Sequence, residues 1–242
     1  MNPCNVLITG GEQGLGLAIY DRLADAGHCM HNIPGREIRQ AIEDDVLYEF
    51  LKGFVDDVLF NKYDLNPVTS GIRISAIINN YGINHLSWIG DTPKEDEQII
   101  LANLMVPYWV VNFVREHGCV CRVVNVASQV YRVAQRCTSL YCASKAGLVQ
   151  MTKVMARELA PFGWVINAVA PGKIEGTRMT ELTDSQVLEI RGWKEEDAIR
   201  YALKNIPMGR FTDIAEIADL VVKVLDLPDY VNGTVIDSSG GQ

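Results

Sequence analysis

The sequence predicts an α/β fold, a doubly wound parallel sheet with helices on both faces, and three observations predict it. Short apolar runs of strand length alternate with amphipathic stretches of helical length along the whole chain. Ile72–Ile78 is a near-continuous apolar run of strand length, as a strand buried on both faces requires. A glycine-rich turn stands directly between the first strand and the first helix. The 242 residues, 48% hydrophobic and 21% charged, suffice for one substantial core. No repeat, low-complexity tract or Pro/Ser-rich linker divides them, so residues 1–242 read as a single domain.

Taken in order, Asn5–Thr9 is a strand, and Leu15, Ala18, Ile19, Leu23 and Ala26 recur at helical spacing before Gly27 closes that helix. His28–Ile33 is a second strand, broken at Pro34 and Gly35. A charged, periodic helix is expected over Glu37–Lys52, and a third strand ending near Tyr63 and Asp64. Ile72–Ile78 is then the fourth strand. Helical periodicity runs from Pro93 to Arg115, and Val120–Val126 is the fifth strand. A long helix spans Ser139–Ala160 and stops at Pro161, and Val165–Val169 is a sixth strand ending at Pro171 and Gly172. Residues 173–207 are polar, irregular or helical; a helix over Asp213–Leu225 and a strand over Gly233–Asp237 complete the chain.

Composition excludes several functions. Lys and Arg number 22 against 30 Asp and Glu, a net charge of −8, so a nucleic-acid partner is not expected. The best membrane candidate, Leu104–Val114, is short and interrupted by Pro107 and Asn112, so no span is expected. The first residues lack the charged and apolar regions of a signal peptide. Cys4, Cys29, Cys119, Cys121, Cys137 and Cys142 are scattered with no C-x-x-C pair, which reads as reduced thiols in a cytoplasmic protein. His28, His31, His85 and His117 form no ligand motif, so no metal is expected.

Residues 9–16 read T-G-G-E-Q-G-L-G. Glycines there let the backbone approach a pyrophosphate, and the helix N-terminus behind offers free N–H groups and partial positive charge. The spacing of Gly10, Gly14 and Gly16 is looser than the G-x-G-x-x-G fingerprint, and a tight strand-to-helix turn would also need small residues. About twenty positions on, an acid would bind the ribose hydroxyls of NAD and an arginine the 2′-phosphate of NADP. Arg36 stands there with no carboxylate between His28 and Gly35, so the balance leans to NADP(H) over NAD(H), although Glu37 is adjacent.

The second signal is Tyr141 and Lys145, four apart and so on one helical face. A free phenol has a pKa of about 10. A neighbouring cation lowers that value and makes a usable general acid/base. Taken alone, the pair would be read as a surface helix pair. Ser128, at the end of the preceding strand, can reach the same rim above the sheet's carboxyl ends, where open α/β sheets bind ligands. Its hydroxyl can orient a substrate carbonyl.

At this point the chain resembles the short-chain dehydrogenase/reductase family of compact, single-domain type, with a Rossmann-type sheet. T-G-G-E-Q-G-L-G matches T-G-x-x-x-G-x-G; Asn79-Asn80-Tyr81-Gly82 resembles N-N-A-G; Ser128, Tyr141 and Lys145 match the catalytic trio. Asn103 falls where that family has its catalytic asparagine, Pro171-Gly172-Lys173-Ile174 matches its P-G motif, and the segment from Pro207 to Gly241 follows its ending. The resemblance implies hydride transfer between nicotinamide C4 and a carbonyl or alcohol substrate. Tyr141 would be the acid/base, Lys145 would tune it and hold the ribose, Ser128 would position the substrate, and Asn103 would hold a water of a proton relay. Thr9, Gly10, Gly14, Leu15 and Gly16 would surround the phosphates, and Asp64 would meet the adenine amino group. Asn80 and Gly82 would line its ribose, and Pro171, Gly172, Ile174 and Thr177 the nicotinamide end. Asn79 would brace the strand.

There are departures. Tyr81 replaces a small residue, Gly176 is inserted so that Thr177 comes one residue late, and Gln13 stands where many NADP-preferring members have a basic residue. The segment 173–207 should cover the substrate, with Met179, Trp193, His85, Trp88, Gln129 and Tyr131 as candidate pocket residues. A reductase acting on an acyl-carrier protein would need basic residues where this chain has Cys119 and Phe162, although Arg115 and Arg122 are near. A nucleotide-binding regulator that has lost turnover is the competing reading, and the complete tetrad speaks against it. The resemblance also implies a homodimer or homotetramer.

Overall fold

The computed structural model describes residues 2–60, 72–91 and 94–242. The strands are β1 (Asn5–Thr9), β2 (Cys29–Ile33), β3 (Ile74–Asn79), β4 (Arg122–Val126), β5 (Val165–Pro171) and β6 (Val235–Ser238). They form one sheet in the order β2-β1-β3-β4-β5-β6, with every neighbouring pair parallel. The chain moves outward from β1 to β2, then crosses back to β3 on the other side of β1. That reversal opens a crevice at the strands' carboxyl ends, where Thr9 of β1 lies opposite Asn79 of β3. The strand expected near Tyr63 and Asp64 lies outside the described residues, as does the adenine contact expected of Asp64.

Side chains alternate between the two faces. Leu7, Ile77, Val123 and Ile166 pack with Leu51 and Val55 of α3 (Leu47–Phe60) and Val110 and Phe113 of α5 (Val106–Glu116). Val6, Ile8, Ala76, Ile78, Val124 and Val169 pack with Ile19 and Leu23 of α1 (Gly14–Asp25) and Ile217 and Val221 of α9 (Ile214–Leu225). Both faces are therefore apolar, which is why these strands read as continuous hydrophobic runs.

Two helical expectations change, and a third is narrowed to one of its alternatives. The helix expected over Glu37–Lys52 is two, α2 (Gly35–Glu43) and α3, because Asp45 takes a left-handed φ of 56° and ends the first. The stretch from Pro93 is α4 (Lys94–Ile100), then a π turn over Leu101–Met105, then α5. Pro107 has no N–H to give the carbonyl of Asn103 four residues back, and the wider turn accommodates that missing bond. Residues 173–207 are mainly helical, as α7 (Arg178–Arg191) and α8 (Glu195–Lys204). The helical stretch Glu95–Glu116, at 22 residues, is also long and apolar enough to cross a membrane, contrary to the reading from run lengths. Half of that apolar window is buried inside the protein, with Val106, Val110 and Phe113 in the core. All six cysteines are free thiols.

Candidate active site

A cavity of about 590 Å³ opens at the carboxyl edge of the sheet. Gly10, Gly14, Leu15 and Gly16 form one wall, Asn80 and Gly82 another, and Ser128, Tyr141 and Lys145 a third. Pro171, Gly172, Ile174 and Thr177 line it from the end of β5. The turn is built for close approach. Gly10 and Gly14 have φ of +69° and +54°, and a Cβ on Gly16 would lie 1.9 Å from the carbonyl of Gly10. A Cβ on Gly14 would meet nothing within 4 Å, so that position faces open space. The residue before α1, Gln13, makes no side-chain cap, which leaves the helix's N–H groups for an anion.

Thr9 and Asn80 hold this wall together. The Thr9 hydroxyl accepts the backbone N–H groups of Asn80 and Tyr81 at 3.1 and 3.0 Å. The Asn80 amide donates to the carbonyls of Thr9 and Gly10 at 3.2 and 3.1 Å. Thr9 is buried and does not line the cavity; it acts on the turn through Asn80. Asn79 donates to Asn125 at 2.8 Å and Asn125 to Thr152 at 2.8 Å, the bracing role expected of Asn79.

Arg36 is exposed on the first turn of α2 and is not among the residues lining the cavity. The Glu12 carboxylate occupies that helix start instead, accepting the N–H of Gly35 at 2.6 Å and of Arg36 at 3.3 Å. The Tyr81 ring packs beside it, where a Cβ on Gly35 would come within 2.8 Å. Burial pushes the Tyr81 phenol up, with the Arg39 cation opposing. Tyr81 stood out in the sequence as a bulky replacement beside the cofactor site, whereas Glu12 did not, because the helix start that it caps is 23 residues away.

The tetrad converges from three segments. Tyr141 and Lys145 face the cavity from the first turns of α6 (Ser139–Leu159), and Ser128 follows β4. Burial pushes the Tyr141 phenol up to about 12, a hydrogen bond with Ser128 opposing the rise. Lys145 is 4% exposed, and burial pulls its ammonium down to about 8. Its Nζ donates to the carbonyl of Val126 at 2.8 Å and stands 5.9 Å from the centre of the Tyr141 ring. The lowering of the phenol expected from Lys145 is not found here: desolvation raises the phenol, and the opposing contribution comes from Ser128.

Asn103 sits in the π turn, fully buried and behind the cavity wall. Its amide donates to the carbonyl of Ile83 at 2.9 Å and to the Ser144 hydroxyl at 3.1 Å, and accepts the N–H of Ile83 at 2.8 Å. It thus fixes the segment after Gly82 against α6. A Cβ on Gly82 would lie 2.9 Å from the Asn103 Oδ1 and 3.4 Å from the Lys145 Nζ. Thr177 lines the cavity while its hydroxyl caps α7, accepting the N–H of Thr180 at 3.1 Å. The inserted Gly176, at φ +71°, makes that placement possible.

Of the candidate pocket residues, Met179, Trp193 and Gln129 line the cavity. His85 and Trp88 do not; His85 instead hydrogen-bonds Gln186 of α7 at 2.9 Å, and Trp88 is half exposed. The Tyr131 hydroxyl turns to Asp237 at 3.3 Å. Arg136, Asn84, Arg191 and Tyr201 line the cavity and were not singled out: Arg136 and Asn84 lie in loops with no periodic signal, and helical spacing alone does not show which face of α7 or α8 meets the sheet edge. Arg122, at the opposite edge of the sheet, is engaged by the carbonyls of Leu225 and Leu227 and by Asp229. The buried oxygens of Asn84 and Gln129 have no hydrogen-bond partner among the described residues, as acceptors awaiting a ligand would be. Open helix N–H groups beside a glycine turn and unsatisfied amide oxygens in the same cavity fit a dinucleotide's pyrophosphate and carboxamide.

Known proteins identify the family and the fold. The sequence profile of the short chain dehydrogenases matches residues 4–187. A 3-oxoacyl-(acyl-carrier-protein) reductase of Thermotoga maritima is 32% identical over 97% of this chain and 96% of that protein. An acetoacetyl-CoA reductase of Rhizobium meliloti is 30% identical over 98% and 97%. Among solved structures, levodione reductase superposes with a TM-score of 0.80 at 28% identity, covering 99% of this chain and 97% of that one. An NAD+-bound xylitol dehydrogenase superposes at 0.83 with 22% identity, covering 98% of each chain, which speaks for the fold. The chain belongs to the short-chain dehydrogenase/reductase family of NAD(P)-dependent oxidoreductases.

Proposed function

We propose that the protein transfers hydride between a nicotinamide dinucleotide and a small carbonyl or alcohol substrate, with Tyr141 as the general acid/base. The observation that carries this reading is the meeting of Tyr141, Ser128 and Lys145 in one cavity with the glycine turn. When bound, the nicotinamide supplies or accepts the hydride at C4. At neutral pH the buried phenol, at about 12, is protonated, the form that donates a proton to a carbonyl oxygen as it becomes an alcohol. Ser128, hydrogen-bonded to that phenol, orients the same oxygen. Lys145 is placed to hold the ribose and to stabilise the phenolate once the proton has left. Asn103 positions Lys145 and the Gly82 segment, and its carbonyl, which Pro107 cannot serve, is the atom for a relay water.

Gly10, Gly14, Leu15 and Gly16 take the pyrophosphate, with Thr9 acting through Asn80. Gly82 lines the adenosine side, and Pro171, Gly172, Ile174 and Thr177 the nicotinamide side. The preference for NADP(H) rests on Arg36, exposed where it can turn to a 2′-phosphate; Glu12 is the opposing charge and must turn away for a phosphate to sit there. The reading covers residues 1–242 as one domain, with 173–207 as its substrate cover. A homodimer or homotetramer through the outer faces of α5 and α6 goes with it, where Tyr108 and Val154 are exposed. Six free thiols suit a cytoplasmic setting. A carbonyl panel with NADPH and NADH tests the function. Tyr141→Phe is expected to lower turnover about 10²- to 10⁴-fold with dinucleotide affinity unchanged; undiminished turnover would overturn the proton donor.

A further inference from the structure

Resting on that functional reading, we infer that the substrate carries an anionic group, a carboxylate or a phosphate, and that Arg191 receives it on the α7–α8 side of the cavity. The net charge of the chain is −8, yet five cationic side chains and only two carboxylate side chains line this cavity among the described residues. The carboxylates leave the substrate side uncompensated. Glu12 is committed to the start of α2, and Asp184 is paired with Lys173 at 2.6 Å. Lys145 belongs to the nicotinamide end. Arg136, Arg178 and Arg191 remain, and none has a carboxylate partner among the described residues. Surface arginines elsewhere do pair, Arg22 with Asp219 and Arg210 with Glu216 among them.

Arg191 is the most organised of the three. Its guanidinium lies 4.6 Å from the centre of the Trp193 ring and 5.2 Å from that of Tyr201, and the two rings are 5.0 Å apart. All three residues line the cavity, and Arg191 is half-buried. Aromatic faces hold a guanidinium through cation–π attraction and strip water from its flat sides, while its N–H edge stays free for a bidentate anion. Arg136, just before the helix that bears Tyr141, adds a second positive charge to the same space. Cations focused in a cleft of an acidic protein draw anions and repel little else. A neutral ketone would gain nothing from this arrangement.

The test uses the intact protein and a series of methyl ketones ending in a carboxylate, against the methyl esters of the same acids. A second arm sets an acetoacetyl thioester of coenzyme A against its N-acetylcysteamine counterpart. The wild type should prefer the charged member of at least one pair by about tenfold or more in kcat/KM. Arg191→Gln should erase that preference by about 10- to 100-fold, with ester turnover and dinucleotide affinity kept, and Arg191→Lys should restore part of it. Preference within the acid series identifies a carboxylate; preference within the thioester pair alone identifies a phosphate. Equal use of charged and neutral members by the wild type, or an equal loss of both in Arg191→Gln, overturns the inference while leaving the oxidoreductase reading intact. Where a compound is not turned over, its binding to the enzyme–NADPH complex is read from cofactor fluorescence, and equal binding of acid and ester also overturns it. Failure of the functional reading shows separately, as undiminished turnover in Tyr141→Phe.

Discussion

The Glu12 carboxylate accepts the backbone N–H of Gly35 at 2.6 Å, which ties the glycine turn to the first residue of α2. Gly11, its neighbour, donates to the Asn32 side chain at 2.7 Å, so the turn is fastened both to the end of β2 and to the start of α2. The N-terminal turn of α2 is where a ribose 2′-phosphate would be received, and a carboxylate already holds its N–H groups. Removing that charge should favour the phosphorylated cofactor. Glu12→Gln is expected to improve the NADP+ to NAD+ affinity ratio by about tenfold, roughly 1.4 kcal/mol. Fluorescence titration of both dinucleotides measures it, and an unchanged ratio would remove Glu12 from cofactor choice.

Gly14 and Gly16 should separate binding from folding. At Gly14 a new side chain meets no atom within 4 Å, and its φ of +54° is one that aspartate tolerates better than most residues, so Gly14→Asp should keep a cooperative melt at a somewhat lowered midpoint while its carboxylate repels the pyrophosphate and dinucleotide binding is lost. At Gly16 the Cβ would fall 1.9 Å from a backbone carbonyl, so Gly16→Ala should lower stability itself. Thermal unfolding and dinucleotide titration on the same two preparations distinguish them.

Gly82→Ala should act on catalysis through its neighbours. The added methyl presses on the Asn103 amide, which three hydrogen bonds hold in place, and on the Lys145 ammonium beside it. Overpacking of this kind costs about 1–3 kcal/mol. The expected outcome is a melting midpoint lowered by a few degrees together with a fall in kcat of about tenfold or more, from displacement of the lysine. Steady-state kinetics that kept the wild-type kcat would show that the Gly82 contact is not transmitted.

Lys145 makes stability depend on pH in a defined window. Its ammonium is pulled from 10.5 in the free side chain down to about 8, so the folded state binds fewer protons than the unfolded one between those values. Folding therefore carries the cost of the buried charge in full below pH 8 and sheds it as pH rises towards 10.5. Lys145→Met has no such charge, so its stability relative to the wild type should be greatest below pH 8 and decline from pH 8 to 10. Tyr141, raised to about 12, adds the opposite slope above pH 10 in both proteins. Urea unfolding of the two proteins at pH 7, 8, 9 and 10 reads the difference directly; a flat difference would mean the ammonium is solvated.

Much of the architecture was legible because its signals are local. The apolar runs of β1, β3, β4 and β5 announce strands buried on both faces, and Pro161 ends the long helix within a residue or two of where it stops. Asp45 was not legible as a break, since a left-handed aspartate between two helices leaves no trace in the hydrophobic period. The π turn at Leu101–Met105 was hidden for a similar reason: one extra residue in a turn barely shifts the apolar pattern, and only Pro107 hinted at it.

The candidate site divides in the same way. By itself the order of residues determined the chemistry on offer, because a phenol four residues from an ammonium, and glycines ahead of a helix, are arrangements that local geometry enforces. Tertiary structure alone decided how those groups are tuned and what surrounds them. Burial in the assembled core holds the Tyr141 phenol near 12 and the Lys145 ammonium near 8. Chain segments far apart in sequence bring Glu12 to Gly35 and set Arg191 against Trp193 and Tyr201 beside the cavity. Desolvation and long-range contact depend on which surfaces meet, and that is settled only when the helices have packed on the sheet.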